Sequence, residues 1–249
     1  MATIRSRVIL NVTNEKGRRV RRREFWSRSF LLHFIELLYN QHAQLATAIR
    51  DIGSTSRTLT LGGHSYHSAW KYTRAHIYVG APAGDVTTII QTGNSTSSPS
   101  LPNHALRHSW QYTGEHYGLV VGTGTTAPTT TDDKLESQIA HGEAAGELTY
   151  GGCEVYGLQF GALPGGHAGE FTIRRYYTNM SGGVVKVCEA GLYALGCAYA
   201  AISSQGPVND ALWRFCIARD LTNPGVPADG IDVLDTEVLE VRYVLKITP

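Results

Sequence analysis

The chain has 249 residues, enough to bury a sizeable core, and all-β domains of that size commonly form one unit. Only 17% of its residues are charged, against a usual share of about 25%, and 22 basic residues nearly balance 21 acidic ones to leave a net charge of +1. That balance argues against a dedicated nucleic-acid binder, which is basic overall, and a surface so poor in charge is suited to self-association.

Ile4 to Val12 reads as a strand that ends in the turn Asn14-Glu15-Lys16-Gly17. The next segment carries Arg18, Arg19, Arg21, Arg22, Arg23 and Arg28 with Phe25 and Trp26 between them, and it reads as an arginine-rich arm that binds a partner. Its guanidinium groups can also neutralise phosphates while the aromatics stack on bases, but the near-neutral chain weighs toward a protein partner. Ser29 can cap an apolar helix from Phe30 to about Arg50, in which Phe30, Leu31, Phe34, Ile35, Leu38 and Leu45 recur at helical spacing. Leu32 and Leu37 widen that stripe beyond what one neighbour can cover, so Phe30, Leu31, Phe34, Ile35 and Leu38 are the expected oligomer interface. Residues 1–50 are thus expected to hold the strand, the arm and the helix, and residues 51–249 a β domain with a variable insertion at 62–115.

From Asp51 onward short β-like runs alternate with turn clusters. Strands are predicted at Thr55 to Leu61, Ala75 to Gly80, Val86 to Thr92, His116 to Val121, Glu147 to Phe160 and Phe171 to Thr178. A hairpin is predicted between Phe171 to Thr178 and Val184 to Tyr193, through Asn179-Met180-Ser181-Gly182-Gly183. The last two strands, in Ala211 to Arg219 and Leu239 to Ile247, alternate strictly and should each have one core face and one mixed face; Leu221 to Asp235 should be an exposed loop between them. The expected architecture is mainly β, an antiparallel β-sandwich-like domain.

Motifs that carry chemistry are weak. Gly122-Thr123-Gly124-Thr125-Thr126-Ala127 fits a G-x-G-x-x-A dinucleotide fingerprint after a strand, yet Pro128 and Thr129 to Thr131 cannot open the required helix. A short helix capped by Asp132 or Asp133 and running to Ile139 is expected instead. His141-Gly142-Glu143 matches the H-x-E half of a zinc deaminase signature without its P-C-x-x-C half. Cys153, Cys188, Cys197 and Cys216 form no C-x-x-C pair and read as buried thiols of a protein made in a reducing cytoplasm. No catalytic residue, cofactor or metal is assigned. Histidines and aromatics concentrate between His64 and Tyr117, where Trp70 and Trp110 are candidate ligand-binding aromatics for a glycan or receptor. Neither a secretion signal nor a membrane span is expected.

Several segments, taken in order, carry a resemblance: Ser27-Arg28-Ser29-Phe30, Asp51 to Thr58, Gly118 to Thr129 with Asp133 to Glu136 and Ile139, Glu147 to Tyr150, Phe171 to Ile173 with Glu189 to Tyr193, and Phe215 to Asp220. Together they resemble a poorly characterised family of virion structural proteins encoded by tailed bacteriophages and prophages, over most of the chain except roughly residues 62–115. The resemblance implies a non-enzymatic role in a tail, neck, fibre or capsid-associated position, with copies of itself and other virion proteins as partners and the virion as its location. A carbohydrate or host-receptor binding module and a hydrolase with a dispersed site are the alternatives.

Overall fold

The computed structural model describes residues 3–27, 47–50, 56–59, 94–95, 115, 118–163, 166–197 and 212–248. These form strands and connecting loops, with no helix among the described residues.

The larger sheet is built from β1 (Thr3–Thr13), β2 (Arg19–Ser27), β5 (Asn94–Ser95), β7 (Thr149–Leu163), β8 (Gly166–Thr178) and β13 (Val238–Thr248), in the order β2-β1-β13-β8-β7-β5. All neighbours are antiparallel except β5, which runs parallel to β7. A smaller sheet has the order β11-β10-β6, from β6 (Gly118–Gly122), β10 (Glu189–Cys197) and β11 (Leu212–Leu221). Two short pairs complete the set. They are β9 (Val185–Val187) with β12 (Ile231–Val233), and β3 (Thr47–Arg50) with β4 (Ser56–Leu59).

The period of two in each strand explains the core. Val8, Leu10 and Val12 of β1, Ile173 and Tyr177 of β8, and Leu239, Val241 and Tyr243 of β13 point to one side. They share one apolar cluster with Leu119 and Val121 of β6, Ala190 and Leu192 of β10, and Phe215 and Ala218 of β11. Polar groups bolt the sheets together across it. The Tyr243 hydroxyl lies 3.0 Å from Asp220 Oδ2 and 3.2 Å from the Ala190 carbonyl, and Ser27 Oγ donates to the same Asp220 oxygen at 2.7 Å. Arg175, fully buried, donates through Nε to the Gly151 carbonyl and through Nη1 to the Leu119 carbonyl, its guanidinium lying 4.8 Å from the Tyr150 ring centre.

Several sequence expectations are corrected. The arginine-rich segment is not an arm: it is β2, paired with β1 through a turn in which Asn14 Oδ1 accepts from the amides of Lys16 and Arg18 and Gly17 takes φ +69°. The apolar helix with Phe30, Leu31, Phe34, Ile35 and Leu38 lies outside the described residues up to 46, but its expected end, Thr47–Arg50, is strand β3. Β-branched Thr47 and Ile49 favour that outcome. Within the expected insertion, Asn94–Ser95 adds to the edge of β7, while the strands expected at Ala75 to Gly80 and Val86 to Thr92 lie outside the described residues. Beyond the strands expected at Glu147 to Phe160 and Phe171 to Thr178, β7 and β8 continue as a hairpin out to Leu163 opposite Gly166.

The hairpin expected through Asn179 to Gly183 does not form. Both edges of β8 are occupied, by β7 and β13, so the chain leaves the larger sheet at Asn179. Buried Asn179 makes the exit: its Nδ2 donates to the carbonyls of Gly183 and Val233, its Oδ1 accepts from Ser181, and its backbone bonds Glu237 and Thr236. The following residues then pair with β12, so the expected loop Leu221 to Asp235 contains a strand.

Replacing Tyr243 with Phe should lower unfolding free energy by roughly 1.5 to 3 kcal/mol, since it removes a hydrogen bond to a buried carboxylate at almost constant volume. Urea titration should show a lower midpoint with an unchanged slope, and an unchanged midpoint would mean that Tyr243 does not tie the sheets.

Candidate functional site

The glycine-rich segment follows β6, where a nucleotide fingerprint would place its phosphate. It holds instead a carboxylate of its own chain. Glu189, the first residue of β10, sits opposite Gly122 in register and is 0% exposed. Its Oε1 accepts the amides of Gly124 (3.1 Å) and Ser137 (2.8 Å), and its Oε2 accepts the amide of Glu136 (3.2 Å) and Nε of Arg219 (2.8 Å). A Cβ at Gly122 or Gly124 would collide with that carboxylate, so both glycines serve close approach to Glu189.

Arg219 reaches the same face from β11, opposite Gly191. Its Nη1 bonds Asp132 at 2.6 Å, and its Nη2 bonds the Thr126 carbonyl at 3.0 Å and lies 3.4 Å from Glu136. Each of these acids holds a local turn as well: Glu136 accepts from the amide and hydroxyl of Thr126, and Asp132 from those of Thr129. One guanidinium thus faces three carboxylates, a surplus of negative charge that would repel a phosphate. The helix expected from Asp132 or Asp133 to Ile139 is absent: the amides of Ser137 and Ile139 bond Glu189 and the Val121 carbonyl and not carbonyls four residues back, while those of Glu136 and Leu135 bond Glu189 and the Tyr193 hydroxyl, the latter at 2.9 Å.

The loop returns to β6 through Thr123 N to Ser137 O and Ile139 N to Val121 O, and it drops Leu135 onto Gly191. This covers the second face of the smaller sheet. Phe215, Cys216, Ile217 and Ala218 are consequently all buried, where one mixed face was expected on β11.

His141 Nδ1 accepts the Tyr150 amide at 2.9 Å and its ring meets that of Tyr150 edge-on, while Glu143 is exposed. That nitrogen is therefore engaged in the chain's own structure, and no group of three potential ligands gathers around a metal position among the described residues. Burial pushes the Cys153 thiol up to about 11 and raises those of Cys188 and Cys216, so all three are thiols at neutral pH. Trp70 and Trp110 lie outside the described residues.

The arginines of β2 divide by the strand's period. Arg21 and Arg23 point inward with Phe25: Arg21 bonds the Asp232 carbonyl and Glu237, and Arg23 bonds the carbonyls of Asp229 and Gly230 and the Asp229 carboxylate. Arg22 points outward with Glu24 and Trp26, and Glu24 pairs with both Arg7 and Arg22. Arg18 and Arg19 are exposed. Across this outward face run mixed rows in which Asn11 bonds Glu240, Glu240 bonds Arg242, and Arg174 bonds Glu154 between the rings of Tyr156 and Tyr176. Among the described residues β2 is the outer strand of the sheet and exposes Val20 (43%) and Trp26 (53%). Only the arginine-rich composition of this edge was visible in the sequence; the Glu189 clamp had no spacing signal, since its partners span residues 124 to 219.

Compared with family models, with curated proteins and with solved structures, the chain finds no match.

Changing Glu189 to Gln should cost about 3 to 5 kcal/mol, because Arg219 loses its buried partner and amide donors then face an amide group. Limited proteolysis should cut within 123–139 in that variant, and an uncut loop would show that Glu189 does not hold it. Acid should act on the same loop. Burial raises the Asp132 carboxyl, but Thr129 and Arg219 outweigh it and hold it below its ordinary value of 3.8; Thr126, aided by Arg219, likewise lowers Glu136. A depressed folded value means stability that is complete above the ordinary carboxylate range and is lost as pH falls through the lower folded value. Urea midpoints should therefore drop on acidification below pH 3.8, and the drop should be smaller in Asp132→Asn.

Proposed function

We propose that this chain is a non-enzymatic structural protein of a tailed-phage virion, a β-sandwich whose two larger sheets form the layers, and that it assembles with copies of itself and with other virion proteins. The segments between Ser27 and Asp220 whose sequences, taken in order, resemble such proteins motivate the virion role. Tyr243 and Arg175, each reaching from one sheet to the backbone of the other, support the sandwich.

The observation that carries the assembly reading is the β2 edge of the larger sheet, which is unpaired among the described residues. Edge strands template pairing with another chain unless they are shortened, charged, bulged or covered. Strand β2 carries charges and a bulge at Val20, but it is nine residues long and presents the apolar side chains of Val20 and Trp26 to solvent. A building block also has to be rigid, and the loops around 123–139, 179–183 and 229–237 are each pinned by buried or partly buried side chains of Glu189, Asn179 and Arg23. Rigid edges let a repeated contact propagate without loss of register.

Light scattering coupled to gel filtration of the full chain, followed by electron microscopy of the eluted peak, tests this. A discrete homo-oligomer, ring or tube is expected. A monomer at every concentration would sink the assembly reading.

A further inference from the structure

The outward face of β2 carries Arg22, Glu24 and Trp26, with inward-facing Arg23 between the two charges; Val20, also exposed, is the extra residue of a β-bulge, since Val12 pairs with Arg21 and Thr13 with Arg19. In an antiparallel pair, directly opposed residues share a face, so a two-fold axis through a residue sets every contact on both sides. With the axis at Arg23, Arg22 meets Glu24 of a second copy, Glu24 meets its Arg22, and Trp26 comes beside its exposed Val20. Moving the axis to Arg22 or to Glu24 sets like charges against each other on this outward face, whereas the axis at Arg23 opposes like charges only on the inward face, where Asp229 binds each Arg23. We propose that β2 is a self-complementary edge that pairs antiparallel with β2 of a second copy about Arg23, joining the two larger sheets into one continuous sheet.

Three features support a second copy over an unrelated strand. Glu24 is the one carboxylate in a strand of four arginines, and it stands where the symmetric register needs it. The two apolar side chains exposed on β2, Val20 and Trp26, stand three residues to either side of Arg23, so the axis brings each toward the other. The Arg23 guanidinium groups that approach at the axis each bring their own counter-charge, because Asp229 of the same chain binds them through its carboxylate and carbonyl. Protection of an edge needs only charge, whereas here opposite charges stand at symmetric positions about Arg23. Glu24 exchanges its intrachain contact with Arg22 for an intersheet one, while its bond to Arg7 can persist.

This inference rests on the self-assembly reading, and the tests separate the two. Arg22→Glu copies carry two acids at the edge and Glu24→Arg copies two bases, so each variant alone should dissociate about tenfold more readily than the parent. Mixed in equal amounts they should recover parental association, since every opposed pair is then acid against base; a folding defect would not be rescued by mixing. Independently, Val20→Cys/Trp26→Cys copies should be joined by a short thiol-reactive linker, because opposed or diagonal residues of an antiparallel pair lie about 5 to 8 Å apart. Either single variant should stay unlinked, its thiols being roughly 20 Å apart across six residues of strand. A parent that associates while neither variant weakens it and the double-cysteine copies fail to link overturns the β2 register but leaves assembly standing. A monomeric parent overturns both.

Discussion

Glu189 is the constraint around which the smaller sheet is arranged. A buried carboxylate is costly unless its lone pairs are filled, and here three backbone amides and the Arg219 guanidinium fill them. Satisfying Glu189 forces the segment after β6 to fold back over β10. That in turn requires glycine at 122, 124 and 191, and it places Leu135 on the sheet. The loop thereby acts as a cover, giving β11 burial on both faces although no strand pairs with its outer edge among the described residues. Breaking one half of such a pair is costly because the other half stays behind, which makes the arrangement a specification of one loop path more than a source of net stability.

The same logic recurs at the other junctions. Asn179 uses all its side-chain bonding to turn the chain out of one sheet and toward another, and Asp220 ties β11 to β2 and β13 through Ser27 and Tyr243. Arg175 fills the Leu119 and Gly151 carbonyls from inside the core. Charged and amide groups that a typical protein would spend on its surface are committed inside this one. That commitment accounts in part for how a chain with 17% charged residues leaves apolar side chains such as Val20 and Trp26 in contact with water.

Strand β2 shows how one composition serves two purposes. Its period of two sends Arg21 and Arg23 inward to hold the loop around Asp229 to Glu237, which packs beside β9, and leaves Arg22, Glu24 and Trp26 on the outward face, where Glu24 pairs with Arg7 and Arg22. The strand is consequently held on one face and exposed on the other. The assembly proposed above would use both properties, since a floppy edge would lose in chain entropy what a new ladder provides.

Strand content was legible from local pattern: β1, β8, β11 and β13 fall within a few residues of where alternation puts them, as do the thiols of Cys153, Cys188 and Cys216 in the core. Alternation of side chains is a property of neighbours in the chain, so the sequence alone determines it. Partner choice is not. The hairpin through Asn179 looked sound because its flanks are β-rich, but β8 had already given both edges to β7 and β13, a fact set by residues 149 and 238 onward. The arginine segment looked like an arm because charge usually marks solvent, until pairing with β1 gave it a face. The glycines at 122 and 124 looked like a phosphate loop, and only the arrival of Glu189 from 65 residues beyond Gly124 supplied the group they accommodate. Local sequence determined which segments are strands and which residues on them face together; hydrogen bonds between distant segments decided what each face and each loop is for.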